Sequence, residues 1–357
     1  MKKVVVGIVA MMMLHNVQAQ DFHFSQTAQT PLLINPAAAG VFDGWERVVV
    51  NHRNQWLGAG TQFMTTSVAA DVNIGKSRMN DQAHLGLGIM FFNDIGGDSN
   101  FGNQNGSLTI SGILPMGGTG HILSAGVQGG FGSRKADYTR LSFYNQFDGT
   151  GFDQSLNSGE QNSGASFTYI DASAGVYYVF DGGQSTFSRN NDFKLQIGVS
   201  GYHLNAPTLE YSNGVSGEKL NRKFVAHAGV VADIVDTKFA IDGNVVQFMQ
   251  SGTEETSMFQ GGHFETMAGL MLRYRFEDGT KLTGMSHNAF IGFGLYARLR
   301  DAIIPSVMVD WRGFQFGVSY DITVSDLRNA YSGGSLEFSL SYVNRHDALF
   351  KTRKRRM

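Results

Sequence analysis

The chain has 357 residues, a formal net charge of −2 and no cysteine. The lack of cysteine excludes disulfides and cysteine-ligated metals, and the balanced charge gives no support for a nucleic-acid partner. The chain contains 45 Gly, 27 Phe and 12 Tyr but only 5 Pro. Frequent glycines and aromatic residues with few prolines favour one sheet of many twisted strands over helices packed around a core.

The first residues predict an exported protein. Lys2 and Lys3 precede an apolar run from Val4 to Leu14, and Val17–Ala19 provides the small residues of a cleavage site. The run is too short to cross a bilayer as a helix, which needs about 20 apolar residues. We therefore predict that residues 1–19 form a signal peptide and that the mature chain begins near Gln20.

Residues 20–44 precede the first predicted strand and are not plainly flexible. Leu32–Ile34 gives this segment an apolar anchor, whereas Asn35-Pro36 and the small residues Ala37–Gly40 favour an extended, closely packed turn. We predict that residues 21–40 pack in or under the lumen of the barrel that the following strands indicate, where the segment would serve as a plug.

From residue 45 to residue 345, apolar side chains alternate with polar residues or glycine, as in strands with one apolar face. A soluble sandwich shows the same alternation, but its strands usually run about 5–6 residues. The segments here reach the roughly 9–11 residues that cross a bilayer at a tilt. The predicted fold is therefore all-β, a transmembrane antiparallel β-barrel of about fourteen strands with long extracellular loops. The predicted strands are 45–55, 61–74, 83–94, 104–115, 119–134, 168–181, 192–205, 222–235, 237–250, 263–277, 287–299, 301–311, 313–323 and 335–345.

Loop lengths predict an orientation. With the mature amino terminus placed in the periplasm, the longest connections (135–167, 206–221, 251–262 and 324–334) are extracellular, as is usual for such barrels. The short connections at Gly117–Gly118, Asp236 and Arg312–Gly313 are then periplasmic, and only the one near Arg300–Asp301 departs from the rule. Both termini are expected in the periplasm. The basic tail, residues 346–357, is either a solvated run of like charges or a contact for an acidic periplasmic component.

The alternation also assigns side chains to the two faces of the barrel. An aromatic girdle should close the lipid-facing belt, and its predicted members are Trp45, Trp56, Trp311, Tyr202 and Phe180. A charge facing lipid at mid-depth costs about 2–4 kcal/mol, so charged residues within strands should face the lumen. These are Arg47, Arg53, Asp171, Asp242, Arg273, Arg275, Arg298, Asp310, Asp321 and Glu337.

The sequence carries none of the local signatures of an enzyme that we tested: no G-x-S-x-G, no H-E-x-x-H and no P-loop. Asp21 with His23 is better explained as a polar start of the mature chain than as a metal pair. The connection that contains Asp148 and Asp153 is rich in oxygen ligands but lacks the spacing of a calcium loop. We therefore predict no catalytic, metal or cofactor site. A barrel hydrolase of the Ser–His type stays an alternative without a supporting arrangement.

Two segments at opposite ends of the chain carry a more specific pattern. The first is Gln20–Gly40, followed by N-H-R-N-Q-W at Asn51–Trp56, and the second is Phe316–Arg328, followed by S-L-S-Y at Ser339–Tyr342. Together they resemble the PorP/SprF family of type IX secretion system outer-membrane proteins of Bacteroidota. The chain departs from that pattern at Phe22 and Leu57, where the family often has proline. The matching residues are Asp21, His23, Phe24, Ser25, Gln26, Leu32, Asn35, Pro36, Ala37, Ala39, Gly40, Asn51, Arg53, Asn54, Gln55, Trp56, Ser319, Tyr320, Asp321, Ser325, Asp326, Leu327 and Ser339–Tyr342.

The resemblance implies a role in secretion rather than catalysis. Members of this family support type IX export, and several serve a large surface adhesin, often a gliding adhesin, through its C-terminal signal domain. Other members are associated with the periplasmic ring of the secretion machine. We predict that such a domain docks at the extracellular mouth, with Tyr211, Asn213, Phe259, Ser325, Asp326, Arg328 and Tyr331 as contacts. Loops that merely seal the mouth are one alternative, and a passive solute channel or hydrophobic-compound transporter is the other.

Overall fold

Long strands with one apolar face dominate the structure. It is a computed structural model that describes residues 23–55, 63–77, 82–97, 99–116, 120–137, 141–159, 165–182, 193–209, 218–251, 263–278, 288–325 and 333–345. In these ranges, fourteen antiparallel strands close into one barrel. They are β1 (Glu46–Gln55), β2 (Phe63–Ile74), β3 (His84–Gly96), β4 (Phe101–Met116), β5 (His121–Ala136), β6 (Ala165–Asp181), β7 (Phe193–Tyr202), β10 (Lys223–Asp233), β11 (Phe239–Gln250), β12 (His263–Glu277), β13 (Ala289–Arg298), β14 (Ala302–Trp311), β15 (Phe314–Thr323) and β16 (Ser335–Asn344). The predicted fold class is confirmed.

The barrel closes between its first and last strands. β1 pairs with β16 in a register that runs from Glu46↔Asn344 to Gln55↔Ser335. Closure matters because a sheet in a bilayer can leave no strand edge with unpaired backbone groups. A short hairpin of β8 (Thr208–Leu209) and β9 (Glu218–Lys219), which the alternation did not predict, lies outside the barrel sheet within the connection between β7 and β10. Within the described ranges, no helix has the length and apolar character needed to cross a membrane.

The two faces of the sheet differ as the alternation predicted. Outward side chains such as Leu108 and Ile170 are 68% and 70% exposed, which suits contact with lipid. The inner face carries buried polar residues, and the charged side chains assigned to the lumen lie on it. Arg53, Asp321 and Glu337 are at most 3% exposed.

Outward aromatic rings collect near one end of the strands. Phe180 lies with its ring centroid 6.2 Å from that of Phe193, and Trp311 is 46% exposed near the same end. Rings at this depth suit the interface between lipid and water. The prediction for Tyr202 is wrong, because its side chain is buried in the lumen, where its hydroxyl donates to a backbone carbonyl. Trp45 is partly buried immediately before β1, and Trp56 lies outside the described residues.

The two ends of the barrel are named here by their connections. The loop end, where β1 ends, carries the connections 137–164, 203–222, 251–262 and 324–334. The turn end, where β1 begins, carries 117–120, 234–238 and 312–313. At the last of these, Arg312 and Gly313 have φ of 52° and 85°, as a two-residue type I′ hairpin requires. Long and short connections are not strictly separated between the two ends. The long connections 182–192 and 278–288 lie at the turn end, and the short connection 299–301 lies at the loop end.

Candidate functional site

A segment ahead of β1 fills the interior of the barrel. This amino-terminal segment, residues 23–44, contains 3-10 turns at Thr27–Gln29 and Pro36–Ala38 and a one-turn helix at Pro31–Ile34. Proline begins two of these turns. At this position a backbone N–H would make no intrahelical hydrogen bond, so its absence from proline costs nothing, and the fixed φ of proline suits the start of a helix. The compact turns let the segment reach different sides of the lumen in succession.

Three apolar clusters hold the second half of the segment. Leu32 is 1% exposed, and Ala37 and Ala39 are fully buried. Complete burial of a Leu or Ile side chain stabilises a fold by about 1.5–3 kcal/mol. The clusters are Leu32 and Ala39 with Ala69 and Met90; Ile34 with Tyr202, Val225 and Val246; and Ala37 and Ala38 with Ile113, Ile122, Tyr177 and Val179.

Inward hydroxyl groups satisfy the backbone of the same half. Ser200 donates to the carbonyl of Ile34 at 2.6 Å, Ser124 to that of Ala37 at 2.7 Å, and Ser111 to that of Ala39 at 2.6 Å. Buried carbonyls without partners would each be costly. The serines on the inner face of β4, β5 and β7 therefore bind the backbone of the amino-terminal segment. The sequence pattern did not predict this role.

Asn35 fixes the centre of the segment to the barrel wall through hydrogen bonds. Its side-chain oxygen accepts from the Ala37 amide at 2.9 Å, and its Nδ2 donates to the Val176 carbonyl at 2.9 Å and lies 3.1 Å from Nε2 of His227. The residue is fully buried. A buried amide is tolerated only when its polar atoms have partners, so this contact network accounts for the Asn-Pro step of the sequence.

Glycines on the inner face make room for the segment. A Cβ added at Gly126 would lie 2.7 Å from the backbone of Pro36 and Ala37. A Cβ at Gly86 would clash with the carbonyl of Ala39. The high glycine content thus serves close packing of two backbones as well as strand twist.

The first half of the segment is held by charges at the loop end of the lumen. The lumen charge cluster consists of Arg53 on β1, Arg298 on β13, Asp321 on β15 and Glu337 on β16. Arg53 and Arg298 both donate to Oδ2 of Asp321, the former at 3.1 Å. Two arginines and two carboxylates balance each other, which buried charges require.

This cluster binds the backbone and side chains of the segment. The two oxygens of Glu337 accept from the amides of Ser25 and Gln26 at 2.7 and 2.8 Å. Asp321 accepts from the Ser25 hydroxyl at 2.7 Å, and Arg53 donates to the His23 carbonyl at 2.7 Å. The cluster therefore acts as a binding site for an extended peptide, occupied by the chain itself.

At the turn end, the segment is fastened before it enters β1. Gly40 donates its amide to Asp71 at 2.8 Å, and Lys76 donates to the carbonyls of Phe42 and Gly44 at 2.8 and 3.0 Å. Burial lowers the pKa of Lys76 from 10.5 to about 8, against the opposing influence of Asp43.

The segment reaches the whole circumference of the barrel. Hydrogen bonds, a 3.7 Å contact between the His23 ring and the Glu265 carboxylate, and apolar contacts link it to strands on all sides. Two cavities beside it, one lined by residues 25–29 and the other by His23, Phe24 and Lys223, each measure about 20 Å³. Such a cavity holds about one water molecule.

The structure brings together several residues of the two sequence segments. His23, Ser25, Gln26, Arg53 and Asp321 meet in one site, although they lie at opposite ends of the chain. Phe24, Asn35 and Pro36 are also buried in the lumen. Asn54 and Tyr320 alternate to the other face from Arg53 and Asp321, and Gln55 ends β1.

Of the predicted partner-binding residues, Ser325 lies within the part of the chain that the structure describes. Ser325 donates to Asp301 at 3.1 Å at the loop end. Trp56, Tyr211, Asn213, Phe259, Asp326, Leu327, Arg328 and Tyr331 lie outside the described residues.

The role of two charged residues was missed. Alternation placed Arg298 and Glu337 in the lumen but gave no sign that they bind the amino-terminal segment. A lone glutamate within S-L-E-F-S-L-S-Y was the available signal, because a charge inside a membrane strand needs a partner.

Residues 141–159, a described part of the connection 137–164, contain turns closed by aspartate side chains. One oxygen of Asp148 accepts from the amides of Thr150 and Gly151 at 2.7 and 2.8 Å, and Asp153 accepts from the amide of Ser155 at 2.8 Å. Hydrogen bonds from the hydroxyls of Thr150 and Ser155, together with these amide hydrogen bonds, lower the pKa of both carboxyl groups. Among the described residues, no group of three or more potential ligands could hold a metal ion.

A family model described as type IX secretion system membrane protein PorP/SprF matches residues 16–342. The chain belongs to the PorP/SprF family. It is accordingly an outer-membrane barrel of the type IX secretion system. No curated protein matches its sequence.

Solved outer-membrane proteins share the barrel at low sequence identity. The translocator domain of the autotransporter NalP from Neisseria meningitidis is 12% identical, with 88% of this chain and 94% of that chain covered and a TM-score of 0.44. BamA from Haemophilus ducreyi lacking POTRA domains 1–3 is 10% identical, with coverages of 84% and 70% and a TM-score of 0.41. The TodX ΔS2S3 mutant monoaromatic hydrocarbon channel is 9% identical, with coverages of 87% and 92% and a TM-score of 0.40.

Proposed function

We propose that this barrel supports the export, the surface anchoring, or both, of a large partner protein, such as a gliding adhesin. In this proposal the barrel binds the C-terminal signal domain of the partner at its extracellular mouth. The observation that carries the proposal is the match of a type IX secretion family across residues 16–342 of a chain whose lumen is filled. Other secretion components, including periplasmic ring proteins, and the surrounding lipid are the further expected partners.

The filled lumen weighs against a passive solute channel. The amino-terminal segment contacts the inner face on all sides, and the two cavities of about 20 Å³ described beside it are each too small for a hydrocarbon. A protein-binding role needs only a rigid scaffold with exposed loops, which this barrel provides.

The connection 137–164 offers a surface for such a partner at the loop end. Tyr144 is 92% exposed, and Phe147 and Phe152, which pair in an isolated bridge, are 56% and 49% exposed. Exposed aromatic side chains on an ordered loop are typical of residues that dominate binding energy. We propose them as contacts in addition to the predicted contacts Tyr211, Asn213, Phe259, Ser325, Asp326, Arg328 and Tyr331, which stay predictions.

Deletion of the gene, followed by assay of the surface adhesins, tests the proposal. Loss of one adhesin with general type IX export intact supports a dedicated anchor, whereas loss of every substrate indicates a core machine part. An unchanged set of secreted proteins would contradict both versions and favour a transporter.

A pull-down from native membranes identifies the partner. A large exported protein should co-purify with the barrel, and combined Tyr144→Ser, Phe147→Ser and Phe152→Ser substitutions should reduce its recovery at least several-fold. Gln154→Ala, at an exposed polar position of the same connection, is the matched control. Steady conductance in planar bilayers without any co-purified protein would speak for a channel instead.

A further inference from the structure

One joint in the barrel wall, between β14 and β15, has a gap in its pairing. The register passes from Ile303↔Ile322 directly to Ser306↔Ser319, so positions 304–305 of β14 have no paired position on β15. Within the described residues, the other ladders of the barrel sheet run without such a gap, apart from a bulge between β12 and β13 near the turn end. The joint of β14 with β15 therefore differs from its neighbours.

Pro305 accounts for the gap. The amide of Val324 donates to the carbonyl of Asp301 at 2.7 Å at the loop end of the same joint. Every second pair of an antiparallel ladder is hydrogen-bonded, so counting in steps of two puts Pro305 opposite Tyr320 in such a pair. Proline has no N–H, and the carbonyl of Tyr320 therefore lacks its donor from β14. Inside a membrane no water replaces the lost hydrogen bond, which weakens the joint at this point.

The other proline within a barrel strand interrupts no ladder. Pro115 lies near the end of β4, beyond the last pair of β3 with β4 at Ile113. On its other side, the register of β4 with β5 continues through Pro115↔Ile122. A strand end of this kind tolerates proline, whereas Pro305 has paired residues before and after it in the ladders with both neighbours.

The first half of the amino-terminal segment lies across the same joint on the lumen side. The side chain of Gln29 donates to the sulfur of Met308 on β14 at 3.3 Å. The hydroxyl of Ser25 donates to Asp321 on β15 at 2.7 Å. Residues 25–29 thus connect β14 with β15 from inside the barrel, close to the point where the ladder does not.

The lumen side of β14 is incompletely packed beside the gap. One of the cavities of about 20 Å³ lies between residues 25–29 of the segment and residues 306–308 of β14. It has room for about one water molecule. Side chains that face such a space lose part of their packing contacts, so β14 is held less tightly here than strands that pack directly on the segment.

We propose that the joint between β14 and β15 is a lateral seam of the barrel wall and that residues 25–29 hold it closed. While these residues are bound, their contacts with Met308 and Asp321 compensate for the hydrogen bond that Pro305 does not make. When they leave, only the flanking pairs join the two strands near Pro305, and the wall opens there between lumen and lipid. The segment thus controls a side opening of the barrel in addition to filling the lumen.

Hydrogen–deuterium exchange of the protein in lipid nanodiscs tests the seam. Deletion of residues 25–29 removes the residues that bridge the joint but keeps the apolar anchor at residues 31–40, and heat-modifiable migration in gels checks folding. We expect exchange in β14 and β15 to rise at least several-fold, while exchange in β5 and β6, which contact residues 35–38 instead, changes little. An equal rise in all strands, or no rise in β14 and β15, would overturn the inference.

Two proline variants give a second readout that needs no deletion. Pro305→Ala restores the missing N–H, so it should slow exchange in β14 and β15 of the full chain at least several-fold and suppress the effect of the deletion. Pro115→Ala, at the position that interrupts no ladder, is the matched control and should leave exchange in β4 unchanged. Unchanged exchange in β14 and β15 for Pro305→Ala would contradict the seam, whether or not the deletion variant folds.

Discussion

At the scale of single residues, charge inside the barrel serves binding. Glu337 is fully buried and uses both carboxylate oxygens on consecutive amides of the segment. Asp321 is shared by two arginines and the hydroxyl of Ser25. Because the network is buried and its members share partners, the loss of one acceptor should be felt across the site.

Glu337→Gln should lower the stability of the barrel. The amide keeps the size of the side chain but offers one acceptor where two are used, and a lost hydrogen bond to a charged group costs about 1.5–3 kcal/mol. Urea unfolding in detergent micelles measures the change. Glu46→Gln, at the turn end, is the control. Equal midpoints for Glu337→Gln and wild type would show that the carboxylate does not hold the segment.

The inward glycines should be sensitive to a single methyl group. Gly126→Ala places a Cβ 2.7 Å from the backbone of Pro36 and Ala37, and overpacking of this kind costs about 1–3 kcal/mol. Gly129→Ala, on the lipid-facing side of the same strand, meets nothing within 4 Å and should be neutral. Thermal midpoints of the two variants test the difference. Similar values for both would contradict the close packing described here.

At the scale of elements, the two halves of the amino-terminal segment are held by different forces. Residues 31–40 are held by apolar clusters and buried hydroxyl contacts, whereas residues 23–26 are held by the lumen charge cluster. Charge interactions are directional and depend on complete pairing, but apolar burial is not directional. The segment is therefore held by non-directional apolar burial in its second half and by directional charge contacts in its first half.

Deletion of residues 21–40 should destabilise the barrel and open its lumen. The deletion removes the burial of Leu32 and Ile34 and leaves the inner face without the partners it now has. We expect a lower thermal midpoint, together with a larger steady conductance in planar bilayers than that of the intact protein. Deletion of residues 141–159, a stretch of similar length at the loop end, should not open the lumen. A deletion of 21–40 with the stability and conductance of the intact chain would exclude a plug.

Lys76, which binds the chain between the segment and β1, should make the unfolding free energy depend on pH. Since burial lowers the pKa of Lys76 from 10.5 to about 8, the unfolded chain binds more protons than the folded one between these values. The contribution of Lys76 to the unfolding free energy is thus constant below about pH 8 and rises from there towards pH 10.5. Lys76→Met should remove this rise, and Lys238→Met, at an exposed position, should keep it. Urea unfolding at pH 7.5 and pH 10 for the three proteins tests the sign.

At the scale of the whole molecule, periodicity predicted most of the fold. Every barrel strand was located from alternation, because a lipid-facing row of apolar residues leaves a signal of period two. The lumen contacts left a weaker signal. Glu337 and Asp321 were assigned to the inner face, but their shared ligand lies more than 295 positions away along the chain, a distance over which local patterns carry no information.

The error at Tyr202 has a physical origin. Tyr202 is assigned to the lipid interface because aromatic side chains near strand ends usually lie there, but in this barrel the lumen is apolar where Ile34 packs. An inward aromatic side chain near a strand end can therefore pack against the amino-terminal segment, as Tyr202 does against Ile34.

The order of assembly follows from the closing pair of strands. The pairing of β1 with β16 joins residues separated by almost the whole chain. The amino-terminal segment contacts both strands. Contacts of such high sequence separation form slowly. If an empty ring closed first through the pairs from Glu46↔Asn344 to Gln55↔Ser335, the segment would have to thread lengthwise into an already closed lumen. We therefore expect the segment to be in place before β1 and β16 pair, so that the barrel folds around its own amino-terminal segment.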